Sequence, residues 1–421
     1  MDIIKLVIIF AVIIILINFK VPLSGAVAVG SVLGAILYQM GFVHSLEVFW
    51  HGIFNRTTFE VLIITYLITF LQRMLEKKDD LNKAQRALSG IFNSRRVNAS
   101  VAPIFIGLLP GAAAAFIAGD MVKGATDGYL DKDEQAFVTS YFRHIPESCL
   151  PTYSSIILAC TLSGVAIGGF LLSMIIPVIL LIFLGYMFFL RKVPKDTGLP
   201  PAEDKGAEWK KLFSSLWTLI LAIALVIIVP YIPFGSIPGF PAGAAAFLGN
   251  FHVWLAVIIA IVLFYFIGHF KFKEITPFFL SAIESRIVIN TLVVMVFKEV
   301  LTESGVIAEL PATLSKLPIP MSLVFALLFL IGTIVGGSTA IITLCTAPAF
   351  AAVPAGGVPL LMLLMSFSYA AMQVSPTHLC LTLIAEYFDS NFGTLVKKTI
   401  PVIAIFCVFI LLYYFLLALI F

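Results

Sequence analysis

Charged residues are scarce in this sequence. Asp, Glu, Lys and Arg make up 12% of its 421 residues, while apolar residues make up 61% and the mean hydropathy is +1.08. A soluble domain carries about 25% charged residues, so this composition excludes an ordinary soluble protein and predicts a polytopic membrane protein. The net charge of +3 gives no indication of a nucleic-acid partner, and none is expected.

Cysteines are few, and recognised catalytic signatures are absent. The five cysteines form no C-x-x-C pair, which argues against a disulfide framework and predicts buried packing thiols. Neither a phosphate-binding GxxxxGK[ST] loop nor an HExxH zinc motif occurs, and no Cys/His cluster has metal-ligand spacing. The sequence therefore predicts a protein that is not an enzyme, without a cofactor and without a metal beyond a possible Na⁺.

Long apolar segments predict an all-α protein with ten membrane spans and two hairpins. A span needs about 20 apolar residues. Residues 2–18 are long enough to span and lack a small-residue cleavage site, so they are assigned to the first helix rather than to a signal peptide. The predicted spans are 2–19, 22–40, 58–75, 134–165, 167–190, 211–230, 251–270, 284–302, 358–388 and 397–420, and the hairpins are 100–126 and 320–352.

Basic residues concentrate in loops that this arrangement places on one side. Loop 72–97 holds seven Lys and Arg residues and loop 191–211 holds six, whereas the opposite side keeps mainly Lys5, Arg56 and Lys316. The positive-inside rule then makes the basic side cytoplasmic. We expect a multi-pass protein of the prokaryotic cytoplasmic membrane with both termini outside.

The two halves of the chain repeat the same order of elements. Residues 1–195 form the first half, 196–210 a Pro-containing cytoplasmic linker, and 211–421 the second half. Each half carries five spans and one re-entrant hairpin. Because five is an odd number, the second half is expected to be inverted relative to the first.

Both hairpins are interrupted at their tips. Pro110-Gly111 breaks the first and Gly336-Gly337 breaks the second, 226 residues later. Irregular backbone at membrane depth survives only inside protein or against a water-filled cavity, and paired interruptions point to a transporter's binding site. The predicted substrate-binding residues at the tips are Pro110, Gly111, Ala112, Gly336, Gly337, Ser338 and Thr339.

Proline also interrupts one span in each half. Pro146 lies within 134–165 and Pro376, 230 residues later, within 358–388. An interior proline frees backbone groups, which here lie among hydroxyls, a carboxylate and an imidazole. The predicted substrate ligands are Pro146, Ser148, Ser375, Pro376, Thr377 and His378, and the predicted coupling-ion ligands are Glu147, Ser338, Thr339 and Thr343.

Plainer interpretations of these residues remain open. The prolines also fit simple kinks patched by neighbouring Ser and Thr, and His378 also fits a neutral histidine satisfied by a carbonyl. Glu147 also fits an ion pair with Arg143 or His144. Because neutral hydroxyls dominate the two breaks, the sequence predicts a substrate held by dipoles and hydroxyls rather than by an arginine clamp.

The pattern resembles the ion-transporter superfamily, which includes divalent anion/sodium symporters and permeases for citrate and gluconate. The stretch Ser375-Pro376-Thr377-His378-Leu379-Cys380-Leu381 and the Leu109-Pro110-Gly111 tip are similar to an uncharacterised prokaryotic integral-membrane family within it. The resemblance implies an elevator mechanism and a homodimer. Gly337-Ser338-Thr339 partly matches the Ser-Asn-Thr tip motif of the symporters, whereas Gly111-Ala112-Ala113 does not, which leaves Na⁺ and H⁺ coupling both open.

The leading hypothesis is a secondary active transporter for a small organic anion, coupled to Na⁺ or H⁺ and surrounded by membrane lipid. A carrier of a lipid-linked or amphipathic substrate and a passive channel are the alternatives. An intramembrane hydrolase using Ser148 or His378 is disfavoured, because no nucleophile–base–orienter set is present in the sequence.

Overall fold

Every regular element that the structure describes is a helix, so the all-α prediction is confirmed. The structure is a computed structural model, and it describes residues 2–108, 112–151, 153–197, 204–229, 232, 236, 241–306, 309, 318–375 and 378–420. Four helical stretches are long and apolar enough to cross a membrane by length and composition: Phe42–Lys77, Ile167–Phe188, Lys205–Ile228 and Phe392–Leu419. Several further apolar helices are shorter, partly because the chain interrupts them. The chain is thus a helical membrane protein.

The first half of the chain forms twelve α-helices within the described ranges. In order they are α1 Asp2–Asn18, α2 Leu23–Leu37, α3 Phe42–Ile53, α4 Arg56–Lys77, α5 Asp80–Phe92, α6 Arg95–Ile106, α7 Ala112–Thr126, α8 Lys132–Arg143, α9 Ile145–Cys149, α10 Ser154–Ser163, α11 Ile167–Ser173 and α12 Ile175–Phe188.

The second half begins with a helix that enters the predicted linker. Asp204 Oδ1 accepts a hydrogen bond from Ala207 N at 3.0 Å, and this cap starts α13 within 196–210. The described helices are α13 Lys205–Ile228, α14 Ala242–Ile267, α15 Phe272–Ser281, α16 Ser285–Glu303, α17 Met321–Gly336, α18 Ser338–Ala352, α19 Gly357–Met372, α20 Leu379–Tyr387 and α21 Phe392–Ile420.

The loops that the sequence places on one side of the membrane contact each other. Arg73 Nη2 lies 2.9 Å from Glu284 Oε1, which joins the end of α4 to the start of α16. Arg96 Nε donates to Val193 O at 2.7 Å and joins α6 to the segment after α12. These contacts join segments that the positive-inside rule assigns to the same side.

Two large clusters of buried apolar side chains organise the interior. The larger one includes side chains of α7–α12 and α17–α21, together with α1, α2 and α16. The second unites α4, α13, α14 and α15. The interrupted helices thus share one core, and the long helices α4, α13 and α14 contribute to another beside it.

Candidate functional site

The first hairpin consists of α6 and α7, which pack against each other. Arg95 Nη1 donates to Ala125 O at 3.3 Å, so the start of α6 lies beside the end of α7. Pro110 and Gly111 lie outside the described residues, and Ala112 is described only as the first residue of α7. The two legs enter and leave on the same face.

The second hairpin turns at Gly337. Its φ of +84° lies in the left-handed region that favours glycine, and it separates α17, which ends at Gly336, from α18. Ser338 and Thr339 form the first turn of α18. The Thr343 hydroxyl donates to Thr339 O at 2.8 Å, so its hydroxyl proton is used in a hydrogen bond within the helix.

The first interrupted helix is broken twice, between α8 and α9 directly before Pro146 and again between α9 and α10 around Pro151. Pro146 occupies the first turn of α9, where a helix needs no N–H donor, so it is tolerated there. Leu150 is extended, with ψ of 139°, because the residue before a proline avoids the helical region. The helix resumes only at Ser154. Ser148 consequently lies inside α9, and its hydroxyl donates to Ile145 O at 2.6 Å.

The second break separates α19 from α20. Helix α19 ends at Met372, and α20 begins after His378, which is extended with φ of −82° and ψ of 99°. Pro376 and Thr377 lie outside the described residues. Ser375 is fully buried at this break, and His378 is partly buried.

Each break is tied to the hairpin of its own half. The Tyr153 hydroxyl donates to Gly107 O, beyond the end of α6, and the Ser375 hydroxyl donates to Ile334 O at 2.9 Å, in the last turn of α17. The last carbonyls of a helix have no partner within it, so these hydroxyls satisfy them. The structure therefore places both helix breaks against the ends of the first hairpin legs.

The two broken helices meet along a buried line of polar contacts, which we call the polar seam. Ser140 Oγ donates to the Gln373 side-chain oxygen at 3.1 Å, and the Tyr369 hydroxyl donates to Tyr141 O at 2.7 Å. At one end of the seam, His144 Nε2 and His378 Nε2 lie 2.9 Å apart. The seam consists of Ser140, Tyr141, His144, Tyr369, Gln373 and His378.

A buried arginine lies at the end of the seam. Arg143 is 2% exposed, and its Nη1 lies 3.1 Å from His144 Nε2. Glu147 Oε2 lies 3.9 Å from the same His144 atom and interacts electrostatically with Arg143. The sequence predicts a substrate held by dipoles and hydroxyls rather than by an arginine clamp. The fold buries Arg143 beside the seam, with its charge opposed by Glu147.

The hydrogen bonds define the protonation of His144. Its Nδ1 lies 2.5 Å from Ser140 O, a carbonyl that can only accept, so Nδ1 carries the proton. Its Nε2 lone pair then faces Arg143 Nη1 and His378 Nε2, which both donate to it. His144 is thereby held neutral, with its acceptor nitrogen at the centre of the cluster.

One polar atom of the seam lacks a hydrogen-bond partner among the described residues. This atom is Gln373 Nε2, in a side chain that is 2% exposed. An unsatisfied buried amide costs roughly 1–3 kcal/mol, which an incoming acceptor would recover. The seam thus presents a spare buried donor.

Three possible metal ligands also converge here. His144, His378 and Cys380 each offer one ligand atom, and these atoms all lie within 4.8 Å of one another. No metal-ligand spacing is visible along the chain because His144 is 234 residues from His378. Cys380, expected to be a plain packing thiol, lies beside the Arg143 guanidinium.

The sequence reasoning named some of these residues and missed others. It selected His378, Ser375 and Glu147 but treated Arg143 only as a possible partner of Glu147. The missed signals are Arg143 four residues before Glu147, one helical turn away, and Gln373 beside the second break.

The two halves pack on each other reciprocally. The returning leg of the first hairpin, α7, contacts α20, the helix after the second break. The returning leg of the second hairpin, α18, contacts α10, the helix after the first break. The Tyr387 hydroxyl of α20 donates to Asp120 of α7 and is one such link. Hairpins and broken helices are therefore interleaved across the halves.

The fold is similar to that of a solved membrane protein. The YdaH transporter of Alcanivorax borkumensis aligns with a TM-score of 0.50 and 14% sequence identity, over 89% of this chain and 86% of that chain. Among curated proteins, none matches the sequence significantly. Residues 3–418 match the family described as "Protein of unknown function (DUF401)". Because this match spans nearly the whole sequence, the chain belongs to the DUF401 family.

Proposed function

We propose that the protein is a secondary active transporter that moves a small, carboxylate-like organic anion across the prokaryotic cytoplasmic membrane, coupled to Na⁺ or H⁺. One observation carries the proposal. The buried guanidinium of Arg143 and the Gln373 Nε2 amide nitrogen, which has no hydrogen-bond partner among the described residues, lie where two interrupted helices meet in the core. Charged groups inside membrane segments are costly and mark substrate or ion pathways.

The chemistry of the seam favours an anion. A guanidinium presents a rigid fork of N–H donors that matches a carboxylate, and Gln373 Nε2 adds a neutral donor. Glu147 already interacts with Arg143, so an anionic substrate competes with it for the same charge. Protonation of Glu147 removes that competition. This shared partner links a proton to the anion and makes H⁺ the first coupling ion to test.

The architecture supports a moving unit. The reciprocal packing of α7 with α20 and of α10 with α18 fits two inverted repeats, and the likeness to the YdaH transporter fits a transport fold. The separate core of α4 and α13–α15 fits a scaffold that holds a homodimer. In this proposal the hairpins and broken helices slide against that scaffold as an elevator.

The seam is closed in this conformation. His144 is fully buried, and Ser140 and Gln373 are 1% and 2% exposed. Transport then requires a rearrangement that opens the seam to one side at a time. A substrate site that is reached only after such a movement fits an alternating-access carrier better than an open channel.

The test is uptake of labelled carboxylates into proteoliposomes under separately imposed Na⁺ and pH gradients. We expect one gradient to drive accumulation, and expect Thr339→Leu, Thr377→Leu and His378→Leu to abolish it while folded protein is retained. Thr302→Leu, at an exposed position of α16, is the matched control. Absence of gradient-driven flux across a broad anion panel would overturn the proposal, and single-channel currents would support a channel instead.

A further inference from the structure

We propose that His144, His378 and Cys380 form a binding site for a thiophilic transition-metal ion such as Zn²⁺. The three ligand atoms lie within 4.8 Å of one another at the end of the polar seam. Two imidazole nitrogens and one thiolate form a ligand set that suits Zn²⁺ and is foreign to Na⁺ or Mg²⁺. This inference does not depend on transport.

The orientation of His144 is the second observation. A metal-binding histidine almost always donates its other ring N–H to a carbonyl or carboxylate, which fixes its tautomer. His144 Nδ1 donates to Ser140 O at 2.5 Å, and its Nε2 faces His378. The ring is therefore held with its lone pair pointing at the two other ligands.

A metal ion needs only a small movement of the two rings. Their Nε2 atoms are 2.9 Å apart, whereas two nitrogens about 2.05 Å from a tetrahedral Zn²⁺ lie roughly 3.3 Å from each other. His378, which is extended, and Cys380 flank the start of α20. The Cys380 thiol, within 4.8 Å of both nitrogens, completes the set by moving toward them.

The metal-free structure satisfies the same lone pairs with Arg143. Its Nη1 lies 3.1 Å from His144 Nε2, and its guanidinium hydrogen-bonds to Cys380. On metal binding, the His144 lone pair passes to the metal and the Cys380 thiol releases one proton to solvent. His378 shifts its proton from Nε2 to Nδ1, and Arg143 turns toward Glu147. Arg143 and the metal are thus alternative occupants of one site.

The fourth position can be filled by Glu147. Its Oε2 lies 3.9 Å from His144 Nε2, close enough to complete a tetrahedral set after a rotation of the side chain. A site of three protein ligands with an exchangeable fourth is the arrangement found in zinc centres that bind a further ligand. When Glu147 is displaced from this fourth position, the metal presents a Lewis-acidic face to the seam.

The experiment uses the full chain in detergent, stripped with a chelator and titrated with Co²⁺ and then Zn²⁺. We expect one Co²⁺ per chain, with a thiolate-to-cobalt charge-transfer band in the near ultraviolet that Zn²⁺ abolishes. Cys380→Ser should remove the band and weaken binding at least tenfold. Cys407→Ser, at a partly buried thiol of α21, should leave both unchanged.

Two further variants keep the test decisive. Arg143→Gln removes a competing donor and a like charge, so metal affinity should rise, and His378→Ala should lower it. Bound Co²⁺ without the charge-transfer band, or Cys380→Ser affinity within twofold of the unmodified chain, would overturn the proposal. Neither readout depends on uptake, so failure of this site and failure of the transport proposal are distinguishable.

Discussion

The Nε2 atoms of His144 and His378 lie 2.9 Å apart although 234 residues separate them in the chain. The contact joins the end of α8 to the start of α20 and lies between the two helix breaks. Ser140 and Gln373, one turn away, repeat the connection at 3.1 Å. The two breaks are thus in direct contact with each other. A movement that opens one break must either carry the other with it or break this contact.

Arg143 should be essential for anion uptake in a way that a simple positive charge cannot replace. Arg143→Lys keeps the charge but loses the planar fork, so we expect kcat/KM for uptake to fall at least tenfold, about 1.4 kcal/mol. Proteoliposome uptake measures this. Arg86→Lys, at an exposed ion pair with Asp79, is the matched control and should transport normally. Equal uptake by both variants would contradict the proposed anion site.

Gly107 should not tolerate a side chain. A Cβ at this position would lie 2.0 Å from Arg143 O, a rigid backbone atom, so α6 would have to move away from the break. We expect Gly107→Ala to lower the free energy of unfolding by about 1–3 kcal/mol. Gly124→Ala in α7 meets no atom within 4 Å and should not destabilise the protein. Thermal unfolding in detergent distinguishes the two, and matching midpoints would argue against the close contact.

Each hairpin should lose protection independently when the hydrogen bond that joins it to a helix break is removed. Tyr153→Phe removes the bond to Gly107 O and should increase amide hydrogen exchange in α6 and α7. Ser375→Ala removes the bond to Ile334 O and should increase exchange in α17 and α18. Each bond contributes about 1 kcal/mol, so protection should fall several-fold. Each variant is the control for the other, and an equal effect on both hairpins would disprove separate ties.

Stability should depend on pH through Asp131, which pairs with Lys398 of α21. Burial raises the pKa of this carboxyl, but the hydrogen bonds from Lys398 and from Glu134 N outweigh it and leave the pKa below its usual value. The pair therefore stabilises the fold above the usual carboxyl range, and the contribution is lost as pH falls through the lowered pKa.

Asp131→Asn removes this contribution. Because the side chain is 57% exposed, we expect a loss below about 1 kcal/mol at neutral pH and no difference from the unmodified chain at low pH. Unfolding midpoints across an acid-to-neutral series measure it, with high salt as the control that should shrink the difference. A difference that grows on acidification would contradict the assignment.

Much of the fold could be predicted because composition and spacing act locally. The low fraction of charged residues predicted membrane helices. Gly336-Gly337 predicted the end of a helix, because glycine accepts the left-handed conformation that Gly337 adopts. That the first half is interrupted twice, before Pro146 and again before Pro151, was not predictable from proline alone. Proline by itself fits either a helix start or a helix end, and only the structure shows that α9 begins beside Pro146 and ends before Pro151.

The sequence by itself determined the class of the protein, the paired interruptions and the candidate hydroxyls, since these follow from hydropathy and backbone stereochemistry within short segments. Tertiary structure alone decided that Arg143, His144, Gln373, His378 and Cys380 share one buried place. No short sequence pattern predicts that these five side chains lie close together. It depends on how the broken helices of the two halves pack, because only packing brings together groups more than 200 residues apart.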